Sequence, residues 1–183
     1  MKLVGGKPGS SGYPPDRWLP VWMAPLDPKD MADLYEAPLR VDEVYDEAIA
    51  FQKKVFNKQW EGFERDLIET EIQENRQWKI IIDNQVACIF ATTLSDAVLW
   101  KEKDQEPAVY IHRIVTNPAF RGAAFVKTIV DWARQYCQEN QLDYIRLDTW
   151  GDNPRLIDYY VSCGFTYLKT IDLDNTEGLP KHY

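Results

Sequence analysis

The chain predicts a mixed α/β domain, and three observations in its sequence predict it. The hydrophobic period changes from helical to strand-like near Trp78. Strand-like and helix-like segments then alternate as far as Leu173. Two of the strands follow one another through a tight turn, an order β-α(α)-β-β-β-α-β-α-β that fits one mixed domain better than a doubly wound one. No internal repeat is present.

Residues 1–17 carry Gly, Pro and Ser with little to bury, so they read as a loose leader ahead of a single domain over 18–183. The stretch WLPVWMA has the content of a short strand. Asp27 and Pro28 read as a helix entry, with Asp27 capping and Pro28 in the first turn. A short helix follows and Pro38 interrupts it. From Val41 to Val55, apolar residues recur at spacings of three and four, one face of a helix. Gly62 breaks that pattern, and a further helix places Phe63, Leu67 and Ile72 on its buried side. The carboxylates of Glu43, Glu47, Glu64 and Glu71 read as solvated helix faces. WKIIID and QVACIFATT form strands joined at Asp83-Asn84, a pair that tolerates the positive φ of a hairpin turn. WKEKDQEP reads as a surface loop, AVYIHRIVT as a strand and Gly122 to Asn140 as a helix. LDYIRLDTW is a strand, Asn153 to Cys163 a helix and FTYLKTIDL a final strand.

Bulk composition excludes several classes of function. The 183 residues hold 21 Lys and Arg against 29 Asp and Glu, a formal net charge of −8. Nucleic acid is therefore not an expected partner, because phosphate tracking needs clustered basic residues. The three cysteines, Cys88, Cys137 and Cys163, are far apart, and only His112 and His182 could join them, so no metal site is expected. They read as small hydrophobes in a reducing compartment. No apolar run reaches membrane-spanning length, and the first residues lack the apolar centre of a signal peptide. The expectation is a cytoplasmic chain with no membrane partner.

The chemistry concentrates between Ile111 and Phe165. RGAAFVK lies between a strand and a helix whose buried face is Phe125, Val126, Ile129, Val130, Ala133, Tyr136 and Cys137. The exposed amides and dipole at such a helix start form an anion site, and Arg121 and Lys127 add charge where a pyrophosphate would lie. Further on, Asn153 and Tyr160 stand seven residues apart, about two turns, so they share a helix face.

This order and these motifs resemble the GNAT N-acyltransferase superfamily over about Tyr110 to Leu173. Arg121 matches that family's Arg/Gln-x-x-Gly-x-Gly/Ala pattern, while Ala124 and Val126 stand at its two small-residue positions, Ala a mild change and Val a serious one. Asn153, Tyr160, Gly164 and Phe165 match its Asn-to-Tyr helix ending in Gly-Phe, with Leu156 in place of the usual Ala. The resemblance implies a mostly antiparallel central sheet with helices on both faces, splayed at two central strands. It implies acetyl-CoA as co-substrate. The backbone of Ile114, Val115 and Thr116 would pair with the pantetheine arm, with an amide there stabilising the oxyanion. The pyrophosphate would lie on Arg121, Gly122, Ala123, Ala124, Phe125, Val126 and Lys127, and Asn153 would bind the arm. Tyr160 would protonate the departing thiolate, a task open to a phenol. The structural alternative is that Tyr159 and Tyr160 are a packed aromatic pair. Val126 raises a second question, since glycine there lets the backbone approach the phosphates closely.

An amine attacks only when unprotonated, so a group must remove its proton. His112 has a suitable intrinsic pKa, and strand alternation places Tyr110, His112, Ile114 and Thr116 on one sheet face. Asp148 is the rival, either as the base or as the carboxylate that holds the substrate ammonium. The expected activity is direct acetyl transfer to an amine of a small molecule. The alternatives are a protein N-terminal or lysine acetyltransferase, and a non-catalytic CoA-binding or interaction module with a drifted phosphate loop. Family members usually end in two strands, but only NTEGLPKHY follows FTYLKTIDL. The sheet must therefore lack a strand or borrow one. The prolines at 14, 15 and 20 count against the leader and tilt the expectation toward a homodimer sharing a sheet edge.

Overall fold

A computed structural model describes residues 2–6, 22–25, 65–149 and 153–171. In chain order these form β1 (Lys2–Gly6), β2 (Trp22–Pro25), α1 (Arg65–Gln73), β3 (Gln77–Ile82), β4 (Gln85–Thr93) and α2 (Ala97–Trp100). A 3-10 turn at Lys101–Gln105 leads into β5 (Ala108–Thr116), followed by a second 3-10 turn at Pro118–Phe120. Then come α3 (Phe125–Asn140), β6 (Tyr144–Thr149), α4 (Pro154–Ser162) and β7 (Thr166–Thr170). The expected helices between Asp27 and Gly62 lie outside the described residues. Among the described residues no helix is long and apolar enough to cross a membrane. The fold class is the expected mixed α/β.

The described residues fall into two compact units, with β5 running from one into the other. In the first unit, residues 2–6, 92–112, 124–149 and 153–171, the strand order is β5-β6-β1-β7. β5 and β6 run parallel from Ala108↔Tyr144 to Ile111↔Leu147. β1 is antiparallel to β6 on one side and to β7 on the other. The core of this unit includes Val109, Tyr110, Ile129, Ala133, Cys137 and Leu147, each at most 2% exposed. The apolar face of α3 is nearly the expected one: Phe125, Val126, Ile129, Val130, Ala133 and Cys137 are buried, and Tyr136 is half-buried.

β1 corrects two expectations. Its residues were read as part of a loose leader, yet they pair on both sides, and they supply the strand that the C-terminal end was short of. The strand itself, Lys2–Gly6, holds no proline. Composition averaged over a Gly- and Pro-rich stretch hides five residues whose Leu-Val pair suits a strand. The partners of β1, residues 145–149 and 166–170, lie far away in sequence, where no local pattern can indicate them.

In the second unit, residues 22–25, 65–91 and 113–123, β2-β3-β4 form an antiparallel set. Asp83 and Asn84 take φ of 50° and 60°, the double left-handed turn expected of the hairpin. β5 departs from the sequence reading here. Arg113 has φ 50°, so the alternation predicted from Tyr110 through Thr116 breaks after His112. A left-handed L-residue costs about 1–2 kcal/mol, and an ion pair holds this one. Glu71, 4% exposed, accepts from Arg113 Nη2, from Gln77 Nε2 at 2.7 Å and from Arg76 Nη1 at 3.2 Å. Glu71 is therefore a buried anchor for the strand and no part of a solvated face. Glu43, Glu47 and Glu64 lie outside the described residues.

Candidate active site

The β5–β6 ladder reaches Ile111 and Leu147, and the next residues on the two strands are His112 and Asp148. The sequence set these two as rivals, but the structure brings them together. His112 Nδ1 lies 3.3 Å from Asp148 Oδ1, with side chains 14% and 11% exposed. A third group, which the sequence reading missed, completes the cluster. Asp96 caps α2 through Oδ1, which accepts from Leu99 N–H at 3.4 Å, and one donor atom from each of Asp96, His112 and Asp148 lies within 4.8 Å of the others. That spacing lets the charges of the three groups act on one another at short range. Burial pushes the Asp96 carboxyl up to about 6; His112 opposes the rise and Asp148 adds to it. The available signal for Asp96 was local: Ser95-Asp96 ahead of Ala97-Val98-Leu99-Trp100 is a cap followed by an apolar turn.

A buried polar layer holds this cluster. Asp96 N–H donates to Asp104 Oδ1 at 2.6 Å and Ser95 Oγ donates to Asp104 Oδ2 at 2.7 Å. Burial acts to raise the Asp104 carboxyl, but hydrogen bonds from Asp96, Tyr110 and Ser95 and the Arg146 charge bring it below its usual value. Arg146, 2% exposed, donates to the Lys103 carbonyl at 2.5 Å, to Tyr110 Oη at 2.8 Å and to Glu106. Its guanidinium lies over the rings of Trp100, Tyr110 and Tyr144 at 4.7, 5.5 and 4.9 Å. Burial and then the Asp104 hydrogen bond push the Tyr110 phenol up to about 12. The stretch expected to be a surface loop is thus anchored at both ends, and Trp100 is 3% exposed, edge-on to Tyr110.

On α4, Asn153 is the cap: its Oδ1 accepts from Leu156 N–H at 3.2 Å, and Pro154 opens the first turn. Any contact of Asn153 with the pantetheine arm would be additional to that capping. Tyr160 is 9% exposed, with its ring edge-on to Phe165 at 6.2 Å and tilted against Tyr159 at 6.1 Å. Gly164 ends the helix at φ 101°, and a Cβ there would meet Arg134 Nη2 at 3.3 Å. Phe165 N–H then returns to the Tyr160 carbonyl, the six-residue closure typical of a glycine-terminated helix. The packed-pair reading of Tyr160 therefore describes its ring, while the hydroxyl remains its chemical handle.

Along the loop into α3, Arg121, Gly122, Ala123, Ala124 and Lys127 are exposed, while Phe125 and Val126 are buried. Ile114 and Thr116 are half-buried and Val115 is buried. Gly122 has φ 87°, open to glycine at little cost. The backbone reverses the sequence reading of the two family positions. Ala124, counted as a mild change, sits at φ 55° as the cap of α3, whereas Val126, counted as a serious one, is helical and turned into the core. Ala124→Gly is expected to stabilise the fold by about 0.5–1 kcal/mol, after allowing for glycine's freer unfolded chain. A higher chemical-denaturation midpoint is the outcome to look for; a lower one would mean that the left-handed turn is absent in solution. Neither Cys88 nor Cys137 is a thiolate at neutral pH. Burial raises Cys88 to about 12 against weaker help from Thr116 and Val115, and burial with Asp143 raises Cys137 to about 11.

The described residues thus combine a mixed sheet, a glycine-led turn into an amphipathic helix and a histidine-carboxylate pair where two parallel strands stop pairing. The acetyltransferase (GNAT) family model matches residues 41–165, and the chain belongs to that family. The uncharacterized N-acetyltransferase YesJ of Bacillus subtilis (strain 168) is 26% identical over 73 residues, which span 40% of this chain and 41% of that protein. A GNAT-family acetyltransferase from Listeria monocytogenes 4b F2365 superposes with a TM-score of 0.69 at 22% identity, covering 83% of this chain and 90% of that one. A predicted acetyltransferase of Clostridium acetobutylicum, crystallised with acetyl-CoA, gives 0.52 at 16% identity over 87% and 96%. At such identities the structural likeness speaks for the fold.

Proposed function

We propose that this chain transfers an acetyl group from acetyl-CoA directly to an amine of a small molecule. The observation that carries the reading is the half-buried His112–Asp148 pair, 3.3 Å apart at the end of the β5–β6 ladder. It offers a base and a carboxylate partner for the proton an amine must lose before it attacks. The donor supplies the activated acetyl group. The residues fit its anionic part: Arg121 and Lys127 are exposed cations on either side of Gly122, Ala123 and Ala124, at the start of α3. The amides of Gly122, Ala124, Phe125 and Val126 would hold the pyrophosphate, since those of Ala123 and Lys127 donate to the Phe120 and Ala124 carbonyls. Asn153 and the backbone of Ile114, Val115 and Thr116 would hold the arm, and Tyr160 would give a proton to the leaving sulfur. Direct attack agrees with the two cysteine thiols that burial keeps protonated.

The non-catalytic reading rested on Val126, and the inward turn of that side chain weakens it. A protein acetyltransferase would differ in the acceptor cleft between Pro28 and Arg76, mostly outside the described residues. Calorimetry with acetyl-CoA is the first test, and saturable binding below millimolar concentration is the expected result. Its absence would end the enzyme reading. An amine panel then distinguishes enzyme from binding module and, with peptide substrates included, small-molecule from protein acceptors.

A further inference from the structure

With its imidazole neutral and both carboxylates ionised, the Asp96–His112–Asp148 cluster would hold two negative charges out of water. That is costly unless a proton or other cation compensates. Two of its acceptor atoms are in that position. Asp96 is 3% exposed and its Oδ2 meets no hydrogen-bond donor among the described residues. Asp148 Oδ1 is close to His112 Nδ1, yet it too meets no donor at hydrogen-bond geometry. The other polar atoms of Asp96 are engaged, Oδ1 with Leu99 N–H and the backbone N–H with Asp104, so Oδ2 is left for the cluster.

We infer that Asp96 is a third member of the amine-handling site, a positioning residue whose buried charge, within 4.8 Å of His112 and Asp148, helps set where the proton lost by the amine is held. The inference rests on the acetyl-transfer reading for its use, though not for its test. In the step itself, the substrate ammonium loses one proton to the cluster. The N–H bond breaks, its electron pair stays on nitrogen for attack, and the proton is held among imidazole and carboxyl rather than on the imidazole alone. Groups of like kind this close titrate as a set. The charged and titratable groups around Asp96 are Asp104 from the 3-10 turn, Tyr110 and His112 from β5, and Arg146 and Asp148 from β6. The alternative is that Asp96 does nothing but cap α2.

Asp96→Asn separates the two roles, because asparagine caps a helix as well as aspartate does but carries no charge. The measurement is an NMR pH titration of the imidazole signals in the whole chain. Only His112 and His182 contribute, so His182 serves as an internal reference. The Asp96 and His112 charges act on one another, so Asp96→Asn, which removes a negative charge beside the imidazole, should move the His112 curve to lower pH while the His182 curve stays in place. The Asp96 carboxyl itself, about 6 in the unaltered chain, should titrate at lower pH in Asp148→Asn, read from its side-chain carbon signal, since Asp148 is one of the charges that raise it. The acid limb of the kcat/KM profile for an amine should move to lower pH in Asp96→Asn, while KM for acetyl-CoA holds. Identical His112 curves in the unaltered chain and Asp96→Asn would overturn the inference, whatever the turnover. The expected NMR result in a chain that turns over no amine would support the charge link between Asp96 and His112 and refute the acetyl-transfer reading.

Discussion

Deletion of residues 2–6 is expected to cost the protein most of its stability. β1 pairs with β6 at five positions, Lys2↔Thr149 through Gly6↔Ile145, and with β7 at four, Lys2↔Thr170 through Gly5↔Thr166. Removing it strips two ladders at once and leaves the facing edges of β6 and β7 without partners. At about 1 kcal/mol net per backbone hydrogen bond, the loss is on the order of 5 kcal/mol, comparable with the whole stability of a small domain. Activity should fall too, because Leu3 is the ladder partner of Asp148. The check is chemical denaturation of the full and shortened chains, followed by addition of a free peptide of sequence KLVGG at high concentration. Recovery of the transition with the peptide would identify the strand as the missing element. An unchanged midpoint in the shortened chain would show that β1 does not occupy the sheet in solution.

Tyr160→Phe is expected to leave the fold intact and lower the turnover number by about 10²–10⁴-fold, the usual cost of losing one general acid or base. The separation is possible because the ring is held by its edge-on contact with Phe165 and its contact with Tyr159, and phenylalanine keeps both. KM for acetyl-CoA should change little, since the hydroxyl is used when the sulfur departs. Steady-state kinetics beside a denaturation curve tests both halves. Unchanged turnover with unchanged stability would reassign Tyr160 to packing alone.

Much of the architecture was legible because its causes are local. The Asp83-Asn84 turn follows from two residues that tolerate positive φ, and both adopt it. The buried face of α3 follows from apolar spacing over sixteen residues. α4 is announced by Asn153 and Pro154 at one end and Gly164 at the other, and the structure begins and ends it there. His112 and Asp148 were named from their chemistry and their strands, as alternatives to each other.

What the tertiary structure decided lies between residues far apart in sequence. Arg113 is left-handed in mid-strand and paired with Glu71, 42 residues earlier, and no pattern around either residue requests the other. Asp96 reads locally as a helix cap and becomes a member of the site only when β5 and β6 carry His112 and Asp148 up to it. β1 reads as leader until the edges of β6 and β7 are in place to receive it. By itself the sequence determined the kinds of element, their order and the residues able to do chemistry, because turns, caps and amphipathic faces are set by neighbours a few residues away. Which carboxylate is buried, which histidine has a partner and which strand fills the sheet were decided by packing, because desolvation and strand pairing act between segments that only the fold brings together.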